Sequence, residues 1–220
     1  MATETIEFLS SVEPSFARGD LAALLARLEE NWPPRVLEDL LSHRSPSVAR
    51  LAAACLGMTG SMRHCPKLAA LLSHPDAGVA AAAENALWNI WMRTGSGPGV
   101  QQLARAVGRI REGRFVEALA VLDDLALSEP RFAEVHHQRA LALHSLERLP
   151  DAAEAYRRVA ELNPWHFAAI AGLGHVCGQQ GDLAGALRYY RDALKINPRL
   201  PDLQEIVPQI QAALERRNVA

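Results

Sequence analysis

Residues 174–198 read GHVCGQQGDLAGALRYYRDALKINP, and the fold of the chain turns on whether this pattern recurs. Pro198 is preceded by Pro164 and Pro130 at steps of 34, in the contexts INP, LNP and SEP. Counted back from each proline, Gly174 aligns with Ala140 and Ala106, and Ala186 with Ala152 and Ala118. Four residues beyond that second alanine stand Tyr190, Tyr156 and Leu122; three before it stand Leu183, Leu149 and Phe115. Small residues recurring opposite bulky ones are what two helices need where they cross closely. A period of this length marks an array of stacked helical hairpins.

The pattern resembles the tetratricopeptide repeat. Residues 174–198 fit nearly every consensus position, and AEVHHQRALALHSLERLPDAAEAYRRVAELNP, residues 133–164, follows with His136 where Trp is preferred and Glu147 where Gly is. A first unit, from about Gly99 to Pro130, departs in its first helix, where Arg105 and Arg109 hold usual apolar positions. Its second helix and the turn EGRFVEAL fit. Asp202 to Arg217 supplies one more amphipathic helix, expected as a cap because a stack of hairpins otherwise ends on an apolar face.

The first half has its own period. LLSH at 40–43 returns at 71–74, and at the same offset of 31 Val48 matches Val79, Ala49 matches Ala80, Ala52 matches Ala83 and Leu56 matches Leu87. Pro46, Pro75 and Gly78 fall in the turns, where residues that cannot continue a helix belong. These hairpins, joined by SPSVAR and HPDAGVAA, resemble the short HEAT-like repeats first noted in phycobilin lyases, with a shifted Arg50 in one copy and no arginine in the other. A degenerate third unit is expected over residues 6–39, with helices near 4–12 and 20–30 and a break at Asn31-Trp32-Pro33-Pro34. Thr94 to Gly99, TGSGPG, reads as a linker. The expected organisation is an all-α solenoid: HEAT-like repeats over 1–94, a Gly-rich linker at 95–99, three tetratricopeptide repeats over 100–200, and a capping helix with tail over 201–220.

Composition agrees with close-packed helices and narrows the partners. Of 220 residues 49% are apolar and only 5% aromatic. Residues 1–94 carry 8 Lys/Arg against 10 Asp/Glu, and residues 95–220 carry 15 against 15. Neither half has the basic excess that a phosphate backbone requires, so no nucleic-acid partner is expected. Cys55, Cys65 and Cys177 form no CxxC pair and read as free thiols of a reducing compartment. The N-terminal residues lack a basic, then apolar leader pattern, and the apolar run from Val79 to Met92 is too short to span a bilayer. The expectation is a cytoplasmic protein with no membrane partner.

The tetratricopeptide resemblance implies a concave groove lined by the first helix of each unit, suited to a peptide or helix of a protein partner. Carried over by position, the groove comprises Val100, Leu103, Val107, Ile110, Arg111, Glu134, His137, Leu141, His144, Ala168, Ala171, His175 and Gln179. Arg131, Trp165, His166 and Arg199 follow along its edge. Some family members clamp acidic C-terminal tails with Lys, Asn and Arg; here His137 and Leu141 stand where Lys and Asn would be, so no carboxylate clamp is expected.

No catalytic, cofactor-binding or metal-ligating residue is assigned. His137 and His144 lie about 10.5 Å apart along one helix at ~1.5 Å per residue, too far for one metal, and read as solvated groove histidines. His43 and His74 sit at helix C-termini, where a donor or cationic side chain caps carbonyls. His64-Cys65 lacks a group to orient the imidazole, and TGSGPG has no strand before it. Trp88 and Trp91 share a face expected to cover the end of the first array or pack on the second, with an exposed partner site as the alternative. Two further readings stand beside the scaffold: a lyase-like or chromophore-handling module on the HEAT-like half, and self-assembly into a homo-oligomer through Ala-rich faces.

Overall fold

In the computed structural model, which describes residues 2–219 and side chains within 6–216, the chain is all helical and divides after Trp91 into two units. The architecture is the α-solenoid of helical hairpins that the two periods require.

The first unit holds α1 (Ala2–Arg18), α2 (Leu21–Asn31), α3 (Pro34–Leu40), α4 (Pro46–Thr59), α5 (Cys65–Ala70) and α6 (Ala77–Trp91), with short 3-10 turns at Met62–His64 and Leu71–Ser73. α1 runs longer than the expected 4–12 and continues through Pro14. Phe8, Val12 and Ser15, all buried on one side of this proline or the other, hold both halves on the core, and that burial outweighs the hydrogen bond a proline removes. Gly19 (φ 67°) then ends the helix. The break at residues 31–34 is present: Pro34 opens α3, and Trp32 packs edge-on against Phe8 while its indole N–H donates to Ser11 Oγ at 3.1 Å.

The residues paired at the 31-residue offset are equivalent in space. Val48, Ala49, Ala52 and Leu56 on α4 and Val79, Ala80, Ala83 and Leu87 on α6 are all buried. The histidines of the two turns are equivalent as well. His43 Nδ1 accepts the Ser45 N–H and His74 Nδ1 the Asp76 N–H, each at 3.0 Å. Through these bonds both imidazoles shape the entry to the next helix. Trp91 is fully buried, with Trp88 edge-on to it at 5.1 Å.

The second unit holds α7 (Gly97–Arg111), α8 (Phe115–Ser128), α9 (Ala133–Ser145), α10 (Leu149–Leu162), α11 (Phe167–Gln179), α12 (Leu183–Ile196) and α13 (Pro201–Val219). α7 begins inside the stretch read as linker. Ser96 Oγ accepts the Gly99 N–H at 3.1 Å and Pro98 suits the first turn, so the last three linker residues become helix. Gly113, Glu147 and Gly181, 34 residues apart, share one conformation with φ of 73°, 58° and 80°. Each is followed by the same reverse bond: Arg114 N to Arg109 O, Arg148 N to Leu143 O and Asp182 N to Cys177 O, at 2.9, 3.0 and 2.9 Å. Glu147 is the non-glycine in this left-handed position. Glu147→Gly is therefore expected to raise stability by about 1 kcal/mol, read in a denaturant titration; an unchanged or lowered midpoint would contradict it.

The NP dipeptides have a structural task. Asn163 and Asn197 are completely buried, and their Oδ1 atoms accept the N–H two residues on, from Trp165 and Arg199, at 3.2 and 3.0 Å. These turns deliver the chain from each second helix to the next first helix. Small residues sit where the period places them: Ala106 and Ala140 are completely buried, and a Cβ on Gly174 would collide with the Tyr190 ring. α13 covers the last hairpin through Leu203 and Ile210 against Leu187, Tyr190 and Ala193. Among the described residues, no helix is long and apolar enough to cross a membrane.

Candidate binding groove

Successive first helices α9 and α11 place side chains three and four apart on a common face. Between them, closed by Tyr156 of α10 and by Leu200, Asp202 and Leu203 at the start of α13, lies a hollow of about 350 Å³. It gathers His137, Leu141 and His144 from α9 with Ala168, Ala171, Gly172 and His175 from α11. Six of the residues expected in the groove (His137, Leu141, His144, Ala168, Ala171 and His175) thus share one concavity. Gln179 meets His144 at its margin, Nε2 to Oε1 at 3.0 Å. The Tyr190 hydroxyl and His175 Nδ1 are hydrogen-bonded at 2.8 Å. Burial first, and the neighbouring His144 second, push the His175 imidazole down, against a weaker pull from Asp202.

Other expected groove residues lie elsewhere. Leu103 is completely buried in the core between α7 and α8, with Val107 and Ile110 packed beside that core and only partly buried. The helix phase that faces Leu103 inward leaves Arg111 exposed. Arg131 and Trp165 are exposed in the turns before α9 and α11, Trp165 at 36%.

Glu134 and His166 are not at a surface at all. Both are 0% exposed and His137 is 4% exposed, so the reading of His137 as a solvated histidine is corrected. The Glu134 carboxylate accepts from His137 Nδ1 at 2.9 Å and Gln138 Nε2 at 2.7 Å on one oxygen, and from His166 Nε2 at 3.1 Å on the other. Ala169 N–H donates to His166 Nδ1 at 3.2 Å, which fixes the tautomer protonated at Nε2 and makes His166 the N-cap of α11. Burial opposes charge on Glu134, but His137 and then His166 outweigh it and hold the carboxyl well below the usual carboxylate range. Burial, and next the adjacent His137, push the His166 imidazole down although Glu134 pulls it up. The signal available in the sequence was positional: Glu134 lies four residues after one repeat proline and His166 two after the next, which the hairpin stacking brings together.

Fold and hollow define a class, an all-helical repeat protein with a side-chain-lined hollow between α9 and α11. The tetratricopeptide repeat family model matches residues 133–164 and 168–200, so α9–α12 are two tetratricopeptide repeats. A comparison with curated protein sequences finds no match. Among solved structures, the first tetratricopeptide domain of Spaghetti (RPAP3), bound to the HSP90 peptide SRMEEVD, is 18% identical, with a TM-score of 0.51 over 53% of this chain and 93% of that one. The tetratricopeptide domain of P58(IPK) is 13% identical, with a TM-score of 0.49 over 98% and 67% of the two chains. A thermophilic tetratricopeptide protein of Thermus thermophilus, TTC0263, is 19% identical, with a TM-score of 0.41 over 92% and 98%. At these identities the likeness is one of fold.

Proposed function

We propose that the chain is a non-catalytic, protein-binding scaffold of the cytoplasm whose groove between α9 and α11 holds a peptide or helix of a partner protein. The observation that carries this reading is the hollow lined by His137, Leu141, His144 and His175. Its walls mix apolar surface with imidazoles able to donate or accept, the composition that suits a mixed peptide rather than a reactive centre. Lysine is absent from the lining, which favours a partner other than an acidic carboxylate tail. Three free thiols fit a reducing compartment, and the balanced charge argues against nucleic acid.

The domain assignment belongs to this reading: HEAT-like hairpins over 1–94, a link at 95–99, three tetratricopeptide repeats over 100–200, and a cap over 201–220. The equivalent burial of α4 and α6 at the 31-residue offset supports the first part, and the left-handed turn at Gly113, matching those at Glu147 and Gly181, supports a first tetratricopeptide unit in α7 and α8.

Leu141→Glu with His144→Glu tests the groove, because both side chains line it and neither is fully buried. His137→Glu is unsuitable, since it would set a second carboxylate beside buried Glu134. A peptide selected on the wild-type chain from a displayed library is expected to lose roughly thirtyfold in affinity for the double variant, about 2 kcal/mol. Unchanged affinity in a folded double variant removes the groove from the account.

A further inference from the structure

We propose that Glu134, His137 and His166 form a binding site for one divalent transition-metal ion of the zinc type. Each residue offers a ligand atom, and the three atoms lie within 4.8 Å of one another. The two contacts that join them, Glu134 Oε1 to His137 Nδ1 and Glu134 Oε2 to His166 Nε2, are 2.9 and 3.1 Å. A tetrahedral ion with bonds of about 2.0–2.1 Å sets its ligand atoms roughly 3.3 Å apart. Along these two contacts the side chains need to part by only a few tenths of an ångström, and the His137 and His166 ligand nitrogens, within 4.8 Å of one another, must settle at the same spacing.

The chemistry and the framework agree with the spacing. Two imidazoles and a carboxylate are a donor set that zinc, cobalt and nickel accept. Glu134 and His137 form a Glu-x-x-His pair, i and i+3 on one face of α9, a spacing by which helices converge ligands on an ion. His166 comes from the turn before α11, so the ion would tie two successive repeats together. Gln138, donating to Glu134 at 2.7 Å, holds the carboxylate in orientation as an outer partner does in metal sites. A dication also offsets a carboxylate that is otherwise wholly buried with its charge. Entry is through the groove, which His137 lines.

The hydrogen bond from Ala169 to His166 opposes the ion and shapes the expectation. A metal on His166 Nε2 requires the ring proton at Nδ1, so the Ala169 N–H must give up its acceptor. Affinity is therefore expected in the micromolar range, below that of closed structural zinc sites, and Ala169 becomes a reporter that a purely structural network would not move. The inference is independent of the peptide reading.

The test uses the full-length chain without a histidine tag. Titration with Co²⁺ is expected to give visible d–d bands that saturate at one equivalent and disappear on adding Zn²⁺, and Zn²⁺ should speed hydrogen exchange at the Ala169 amide. Glu134→Gln, which removes the anionic ligand, and His166→Asn, which keeps an N-cap acceptor but withdraws the imidazole, should abolish the bands. Gln138→Ala should weaken binding by about tenfold to a hundredfold, and His144→Ala with His175→Ala should leave it unchanged. No stoichiometric binding, or bands that persist in His166→Asn or vanish in the groove pair, overturns the proposal. Should a variant fail to fold, ring-nitrogen resonances of the wild-type histidines still decide it: those of His137 and His166 must move with Zn²⁺, and movement confined to other histidines refutes the site.

Discussion

Tyr156→Ala is expected to destabilise the second unit by about 4 kcal/mol, measured by urea titration of helical circular dichroism. Large-to-small changes at buried aromatic positions cost about 3–5 kcal/mol, and the value depends on how far the surroundings collapse into the gap. Tyr156 is 1% exposed, in a core cluster where Ala140, Ala152, Ala153, Ala155 and Ala169 stand among Leu143, Val159, Leu173 and Val176. Its ring also lies over Gly172, where a Cβ would come within 2.5 Å of it. Alanine and glycine have no side chain to swing inward, so the space stays open and joins the groove that Tyr156 closes. Tyr156→Phe keeps the ring and should cost less than about 1 kcal/mol. A loss under about 1 kcal/mol for the alanine variant would mean that the helices close around the deletion, and the repeat's small-against-large rule would lose its energetic meaning.

Gly57→Val is the corresponding experiment in the first unit, expected to cost about 3 kcal/mol. A Cβ at Gly57 would stand 2.8 Å from the Ala86 Cα and 3.1 Å from its Cβ. The nearest atom is backbone, so the conflict cannot be relieved by turning a rotamer. α4 and α6 would have to separate, and the fully buried Ala52, Ala53, Ala83 and Leu87 would lose their packing. Combining the valine with Ala86→Gly should recover little of the loss, because the offending atom remains. Full recovery in that pair would show that the two backbones are not in the close approach described.

Much of this fold is readable along the chain. The proline step of 34 locates the hairpins of the second unit, and the glycine preference at 113 and 181 locates its tight turns, with Glu147 standing out as the exception at an equivalent place. The groove is readable in part: repeat position puts Leu141, His144 and His175 on its lining, since residues on one helix face share a neighbourhood. Leu103 departs from its expected place for a related reason. Family position assigns its helix face to the groove, whereas the phase of α7 turns that side chain into the core and leaves Arg105 and Arg111 in solvent.

What the sequence by itself determined is the local and periodic part: all-helical hairpins, their turns, and the small residues at their crossings, because these depend on residues within one repeat length of each other. The tertiary structure alone decided which polar groups lose water. Glu134 and His166, 32 residues apart, meet only because one hairpin stacks on the next, and once they are dry their hydrogen bonds and charge states follow from each other. The same holds for the end of the groove, set by α13 folding back to place Leu200, Asp202 and Leu203 against α11. Periodicity reports which face of a helix is apolar; how deeply a polar residue on that face is buried depends on what the rest of the chain lays over it.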